Sequence, residues 1–84
     1  MNNFQLSKHA KDMMYERDIQ TEWVEAALSQ PDTQEQQIDG TVHFIKKIAV
    51  YGNNFLRVVI DPRVDPQRVV TLFFDRRLKR GKRK

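Results

Sequence analysis

The first predicted helix carries a histidine and an arginine on or beside the side that should be buried. At about 100° per residue from His9, Ala10 lies at about 100°, Met13 at about 40°, Met14 at about 140° and Arg17 at about 80°. Arg17 is therefore expected in the middle of the apolar arc and His9 at its edge. Histidine can exchange protons near neutral pH and arginine stabilises anions, so both are candidates for catalysis.

A structural explanation of the same two residues stays open. Arg17 lies in the last turn, where a cation suits the helix dipole, and its long stem could follow the core and emerge into water. His9 lies in the first turn and could be a half-exposed polar residue. The spacing alone does not decide between the two explanations.

The composition predicts a single small domain of a cytoplasmic protein. The chain has 84 residues and no cysteine, so we expect a modest core and neither disulfides nor thiolate metal sites. No apolar run approaches the length of a membrane span. The N-terminus has neither the basic start nor the apolar segment of a secretory signal. We expect one domain over residues 1–77 and a basic, disordered tail over residues 78–84.

The net charge of +4 is divided unevenly along the chain. Residues 1–40 carry three Lys or Arg against eight Asp or Glu, a net −5, whereas residues 41–84 carry twelve against three, a net +9. The final nine residues hold seven of those cations. Such a segment favours a polyanionic partner, most often nucleic acid, with salt-dependent binding. A solvated tail that aids solubility is the alternative.

The spacing of apolar residues predicts a short strand followed by two helices. Phe4 to Leu6 could form the strand, and Ser7 is a suitable N-cap for a helix that runs to about Arg17. Thr21 is the expected N-cap of the second helix, which ends before Pro31.

After the helices the apolar period becomes alternating, which predicts strands. These should pair as an antiparallel meander with both helices on one face, an α+β fold. The expected segments are strands over Val42 to Val50, Leu56 to Ile60 and Val70 to Phe74, a turn at Gly52-Asn53-Asn54, and an additional edge strand over Thr33 to Ile38.

The alternation places a second set of candidates on the sheet face away from the helices. Even-numbered strand residues should point toward the helices and odd-numbered residues toward the open face. Arg57 is the hardest to explain structurally, because an arginine in a central strand needs a partner or a ligand. Cations mixed with aromatic rings suit single-stranded RNA. The expected open-face residues are His43, Ile45, Lys47, Tyr51, Phe55, Arg57, Val59, Val69, Thr71, Phe73 and Asp75.

Structural explanations stay open for several of these positions, and other chemistries fit poorly. Thr71 is a good strand former, Lys46 and Lys47 could be the polar side of an edge strand, and Tyr51 could close a strand end. Two histidines without cysteine or a nearby carboxylate cluster argue against a metal site, and three glycines form no phosphate loop. We expect no cofactor.

Three segments together resemble an uncharacterised bacterial family, a domain of unknown function related to the RelE and ParE toxin superfamily. They are Leu6-Ser7-x-His9-Ala10, Glu16-Arg17-x-Ile19 and the stretch from Val69 to Arg77. The resemblance implies a RelE-like fold, in which two N-terminal helices pack on one face of a small, mainly antiparallel sheet. It also implies a toxin-like role, commonly metal-independent RNA cleavage, and often an antitoxin partner.

By motif position, His9 and Arg17 match the helix pair of the family and Thr71 matches its last-strand threonine. The leading hypothesis is a metal-independent endoribonuclease in which a ribose 2′-hydroxyl attacks the adjacent phosphate, with RNA, free or on a ribosome, and a cognate antitoxin as partners. A noncatalytic nucleic-acid-binding or protein-interaction module is the alternative, and an inactive, partner-dependent member of a two-protein system is a third. The assigned residues are His9, Arg57, Lys47, Arg17 and Thr71 for catalysis, and Lys46, Tyr51, Phe73, Arg76, Arg77, Lys79 and Arg80 for RNA binding.

Overall fold

The computed structural model describes residues 4–75, and its elements follow the predicted order. The α+β class, with two helices and a mainly antiparallel sheet, is confirmed. No helix within the described part of the chain is long and apolar enough to cross a membrane. The elements are β1 (Phe4–Leu6), α1 (Lys8–Arg17), α2 (Thr21–Ser29), β2 (Thr33–Gln36), β3 (Val42–Ile48), a 3-10 helix (Ala49–Tyr51), β4 (Asn54–Asp61) and β5 (Gln67–Phe74).

The five strands form one sheet in the order β1-β5-β4-β3-β2. Strands β2 to β5 pair antiparallel with their sequence neighbours, as expected of a meander, and β1 lies parallel to β5 at one edge. The predicted edge strand is present as β2, which pairs with β3 and ends the sheet formed by residues 4–75. Helix α1 packs against β5 and β1, and α2 packs against β4 and β3.

Ser7 begins α1 and also ties the helix to the sheet. Its Oγ accepts a hydrogen bond from the Ala10 amide at 3.0 Å, which is the N-cap geometry that the sequence predicts. The same hydroxyl donates to the Val70 carbonyl at 2.8 Å, and the Ser7 amide donates to the Val69 carbonyl at 3.0 Å. One residue therefore caps the helix and fixes its start against β5.

The two helices are joined by a short turn whose residues differ from those expected. Asp18 has φ 58°, in the left-handed region, and ends α1. Ile19, next in the chain, is buried in the core. The N-cap position of α2 is Gln20, which makes no side-chain capping bond, so the prediction of Thr21 as the cap is wrong by one residue.

One apolar core lies between the helices and the face of the sheet that they cover. Ala10 is fully buried, which lets α1 approach β5 closely. Partly buried aromatic residues, among them Trp23, Phe44 and Phe74, pack around this core. The buried members of the core are Ala10, Ile19, Val24, Ala27, Ile48, Leu56, Val58, Ile60, Val69 and Leu72.

A β-bulge at Val70 reverses the expected alternation in the part of β5 that precedes it. Val59 pairs with Thr71 whereas Ile60 pairs with Val69, so Val70 is an extra residue in β5. Val69 is fully buried in the same core as Leu72, three residues away. The prediction that Val70 faces the helices and Val69 faces the open side is therefore wrong, because the inserted residue shifts the side-chain period.

The connection from β3 to β4 is longer than the predicted turn. Gly52 and Asn53 have φ values of 64° and 58°, so the expected positive φ at this turn is confirmed. β3 ends at Ile48, however, and Val50 and Tyr51 lie in the 3-10 helix rather than in the strand. The two predictions that Val50 continues β3 and that Tyr51 faces the open side are wrong, since the chain leaves the ladder before both residues.

Candidate functional site

Arg57 lies in the middle of the sheet, on the face opposite both helices. Its cross-strand neighbours are Ile45 on β3 and Phe73 on β5, and its side chain is only 8% exposed. The alternating pattern of β4 explains the position, because Leu56 and Val58 on either side of it belong to the helix-side core. We call this side of the sheet, which neither helix covers, the uncovered face.

Within residues 4–75, the Arg57 guanidinium forms hydrogen bonds or ion pairs with three side chains. Nε and Nη2 each lie 2.8 Å from Asp75 Oδ2, and Nη1 lies 3.1 Å from Glu35 Oε1 and 2.9 Å from His43 Nδ1. We call Glu35, His43, Arg57 and Asp75 the Arg57 cluster. The prediction that Arg57 requires partners is confirmed, and these partners come from β2, from β3 and from the residue that follows β5.

The contact with Arg57 fixes where the His43 ring can hold its proton. A guanidinium only donates hydrogen bonds, so Nδ1 must accept and the neutral ring carries its proton on Nε2. Burial lowers the pKa of His43, and the charge of Arg57 lowers it further, against the opposing effects of Glu35 and Asp39. His43 is therefore neutral at neutral pH, with Nε2–H available as a donor.

The side chains of the Arg57 cluster differ in their exposure to solvent. The Asp75 side chain is 3% exposed, whereas that of Glu35, on the edge strand β2, is 47% exposed. Glu35 and His43 are direct cross-strand neighbours, and His43 is half-buried. A molecule on the uncovered face would therefore meet Glu35 and His43, while Arg57 and Asp75 lie beneath them.

A shallow depression of about 380 Å³ adjoins the cluster and is lined by Gln37, Ile38, Asp39 and His43. Ile38 is fully exposed. Asp39 Oδ1 accepts hydrogen bonds from the Thr41 hydroxyl and amide, and these bonds hold the pKa of Asp39 below its usual range. The turn after β2 thus places an apolar side chain and a fixed carboxylate beside His43.

The structure brings four of the residues assigned from sequence to the uncovered face. Lys47 Nζ lies 6.0 Å from the centroid of the Phe55 ring, its cross-strand neighbour. Phe73 lies opposite Arg57, and Thr71 lies opposite Val59 in the next row. Arg57, Lys47, Thr71 and Phe73 therefore share this surface.

His9 and Arg17 are not part of this arrangement. Both are exposed residues of α1, which packs on the other face of the sheet. The prediction that Arg17 lies in the middle of a buried arc is wrong. Its angle is close to that of Ala10, but seven residues carry it about 10 Å along the axis to the end of the helix. There the helix dipole accounts for a cation, as the structural explanation holds.

Lys46 and Tyr51 also lie away from the uncovered face. Lys46 Nζ donates to the carbonyl of Gln30 at 3.1 Å, at the C-terminal end of α2. Tyr51 stacks on Phe74 with centroids 4.7 Å apart and contacts Trp23 at 5.4 Å. The remaining assigned residues, Arg76, Arg77, Lys79 and Arg80, lie outside the described residues.

Sequence reasoning did not assign Glu35, His43 or Asp75 to a site. His43 and Asp75 are odd-numbered like Arg57, so the alternation of the strands already placed them on the same face as Arg57. That shared face was the one signal in the sequence that could have assigned them to the site. What the sequence lacked was the register that pairs Glu35 with His43 and sets Asp75 next to Phe55, whose carbonyl accepts from the Asp75 amide at 2.8 Å. Within residues 4–75, no group of three or more His, Cys, Asp or Glu side chains could hold a metal ion.

A protein-family model matches residues 6–74 of the chain. The matching family is described as Domain of unknown function (DUF4258). The chain belongs to this family. The DUF4258 region runs from β1 to the end of β5 and includes Glu35, His43 and Arg57. No curated protein and no solved structure matches the chain.

Proposed function

We propose that this DUF4258 protein is a metal-independent endoribonuclease of a bacterial toxin-antitoxin type system, with its active centre on the uncovered face. The observation that supports the proposal is the pairing of Glu35 and His43 through one Arg57 nitrogen, at 3.1 Å and 2.9 Å. A carboxylate, an imidazole and cations on one surface are the groups that phosphodiester cleavage by a 2′-hydroxyl requires. A RelE-like fold is part of this proposal, supported by two helices on one face of a mainly antiparallel sheet.

In this mechanism Glu35 is the general base and His43 stabilises charge. The half-exposed Glu35 carboxylate takes the proton of the ribose 2′-hydroxyl, and the 2′-oxygen forms a bond to phosphorus. His43 Nε2–H donates to a phosphate oxygen as negative charge develops. The bond from phosphorus to the 5′-oxygen breaks, that oxygen receives a proton from water, and the hydroxide left behind takes the proton that Glu35 holds. The products are a 2′,3′-cyclic phosphate and a 5′-hydroxyl.

The surroundings of the cluster supply contacts for an RNA strand. Lys47 is exposed on the same face and offers a cation to the phosphate. Phe73 and Phe55 offer rings on which bases can stack. The seven cations within residues 76–84 add sequence-independent attraction to the backbone. His9 and Arg17 have no catalytic role in this proposal, because α1 lies on the opposite face.

A noncatalytic RNA-binding module is the second candidate, favoured by the charge balance of the cluster. Asp75 and Glu35 already neutralise Arg57, so the cluster offers no unpaired cation to a phosphate. Under this alternative, RNA affinity depends on residues 76–84 and on Lys47. The variant His43→Ala would then bind RNA as the wild type does, and neither protein would cleave it.

Incubation of the purified full chain with a labelled RNA oligonucleotide in EDTA tests the proposal. We expect cleavage that leaves a 2′,3′-cyclic phosphate, on free RNA or on ribosome-bound message. An oligonucleotide with a 2′-deoxy residue at the cleaved position should resist. Glu35→Gln should lower the rate by about 10²–10⁴-fold, with Glu25→Gln on the exposed side of α2 as the matched control. Cleavage of the deoxy substrate, or none of any RNA, would contradict the proposal.

The toxin-antitoxin assignment makes a second claim, that an antitoxin protein is the partner of this chain. We expect inducible expression of the chain to arrest bacterial growth and co-expression of the antitoxin to relieve the arrest. An arrest that survives Glu35→Gln would separate toxicity from the proposed chemistry.

A further inference from the structure

The Asp75 carboxylate is almost fully buried beside Arg57 and is held there from two directions. Its side chain is 3% exposed, and Oδ2 lies 2.8 Å from both Nε and Nη2 of Arg57. The Asp75 amide also donates to the Phe55 carbonyl at 2.8 Å, two residues before Arg57 on the adjacent strand. The carboxylate is thus fixed to β4 by its own backbone.

These contacts determine which nitrogen of the guanidinium can donate hydrogen bonds to other residues. The guanidinium is planar, so a carboxylate held on the Nε and Nη2 side leaves Nη1 on the opposite side. Nη1 is the atom that reaches Glu35 and His43. Rotation of the group toward Glu35 alone would break both contacts with Asp75, at low exposure where charged hydrogen bonds are strong.

We propose that Asp75 is a positioning residue that acts through Arg57 to keep His43 Nδ1 free of a proton, so that Nε2–H is the donor presented on the uncovered face. This inference rests on the proposed function for its catalytic meaning. Asp75 and His43 each hydrogen-bond to Arg57, and within residues 4–75 no hydrogen bond joins them directly. It orients Arg57, Arg57 donates to Nδ1, and the proton of the neutral ring is thereby assigned to Nε2.

Nitrogen-15 NMR of the His43 ring in the full chain tests the inference directly, with His43→Gln used to assign the signals. In the wild type at neutral pH we expect an unprotonated Nδ1 and a protonated Nε2. A protonated Nδ1 would overturn the inference without any variant of Asp75. The charged groups that act on the ring are Glu35 on β2, Asp39 in the following turn and Arg57 on β4, and all three remain in this experiment.

Asp75→Asn supplies the second arm, with Asp61→Asn as its matched control. Asp61 also pairs with an arginine, Arg63, at 2.8 Å, but lies outside the cluster. In Asp75→Asn we expect mixed tautomers of the neutral His43 ring, and RNA cleavage reduced at least tenfold in kcat with little change in KM. Asp61→Asn should match the wild type in each respect.

A folded Asp75→Asn protein with the wild-type ring signals would overturn the inference and leave Asp75 a structural residue. If Asp75→Asn does not fold, the tautomer of the wild type decides. A different outcome would contradict the proposed function. If the wild type cleaves no RNA but the ring signals behave as expected, the positioning by Asp75 stands and the endoribonuclease does not.

Discussion

The two faces of the sheet bury comparable strand positions by different means. On the helix side, Leu56, Val58 and Leu72 are fully buried by apolar contact with α1, α2 and one another. On the uncovered face, Ile45 and Val59 are buried as well, but Arg57 and Asp75 beside them are buried as a hydrogen-bonded ion pair. An apolar core tolerates a range of similar side chains, whereas a buried charge pair depends on each partner. The side chains at the centre of the uncovered face are therefore the ones that similar residues cannot replace.

Substitution of a buried charged residue on the uncovered face should lower the free energy of unfolding the most. Arg57→Met removes the guanidinium that pairs with the buried Asp75 carboxylate, and we expect a loss of about 3–5 kcal/mol in the free energy of unfolding, measured by urea denaturation. Combining Arg57→Met with Asp75→Leu should recover most of that loss, because the pair is replaced by apolar groups. A double variant as unstable as the single one would show that the pair is not what couples the two positions.

The helix side should respond through lost contact rather than through charge. We expect Leu56→Ala to cost about 2–5 kcal/mol, because Leu56 is fully buried and a cavity would remain. Val50→Ala, at a position 83% exposed, is the control and should change stability by less than about 0.5 kcal/mol. Equal effects of the two changes in urea denaturation would mean that the helices do not cover Leu56.

The join between the two layers depends on Ser7. Ser7→Ala removes both the cap of α1 and the bond to the Val70 carbonyl, so we expect a loss of about 1–2 kcal/mol. Ser29→Ala is a matched control, because its hydroxyl only returns to the Glu25 carbonyl at an exposed site. A thermal unfolding midpoint lowered equally in both variants would contradict this account.

The smallest expected effect is the dependence of stability on pH through His43. Its pKa is lowered in the folded protein from the ordinary 6.5, so the unfolded chain binds more protons just below that value. Stability should therefore fall as the pH falls through the range between the ordinary and the lowered pKa, and level off below it. The variant His43→Gln should lack this change. A wild type that gains stability on acidification through this range would contradict the sign.

Sequence patterns predicted the fold well because the apolar period and the turn residues are local signals. The strand order of the meander, the cap at Ser7 and the positive φ at Gly52 and Asn53 followed from them. The bulge at Val70 was not visible, because an inserted residue leaves no mark in a run of Val and Thr. Tyr51 was misplaced for a similar reason, since nothing local marks the end of β3 at Ile48.

The candidate site was predicted in part because its centre breaks a local rule and its other members do not. Arg57 in an apolar strand was conspicuous, whereas Glu35 in a polar edge strand and His43 near a turn were not. Their importance depends on the register between β2, β3 and β4, which is tertiary information. The Ser7 to Ala10 segment, conspicuous in sequence, positions α1 through Ser7 and the buried Ala10.

The most direct test compares the two histidines, one on each side of the molecule. His43→Ala and His9→Ala would be induced in a bacterium beside the wild type, while growth and new RNA 5′ ends are followed. We expect the wild type and His9→Ala to arrest growth and create the same 5′ ends, and His43→Ala to do neither. Loss of both effects in His9→Ala with full activity in His43→Ala would contradict the assignment of the active centre to the uncovered face.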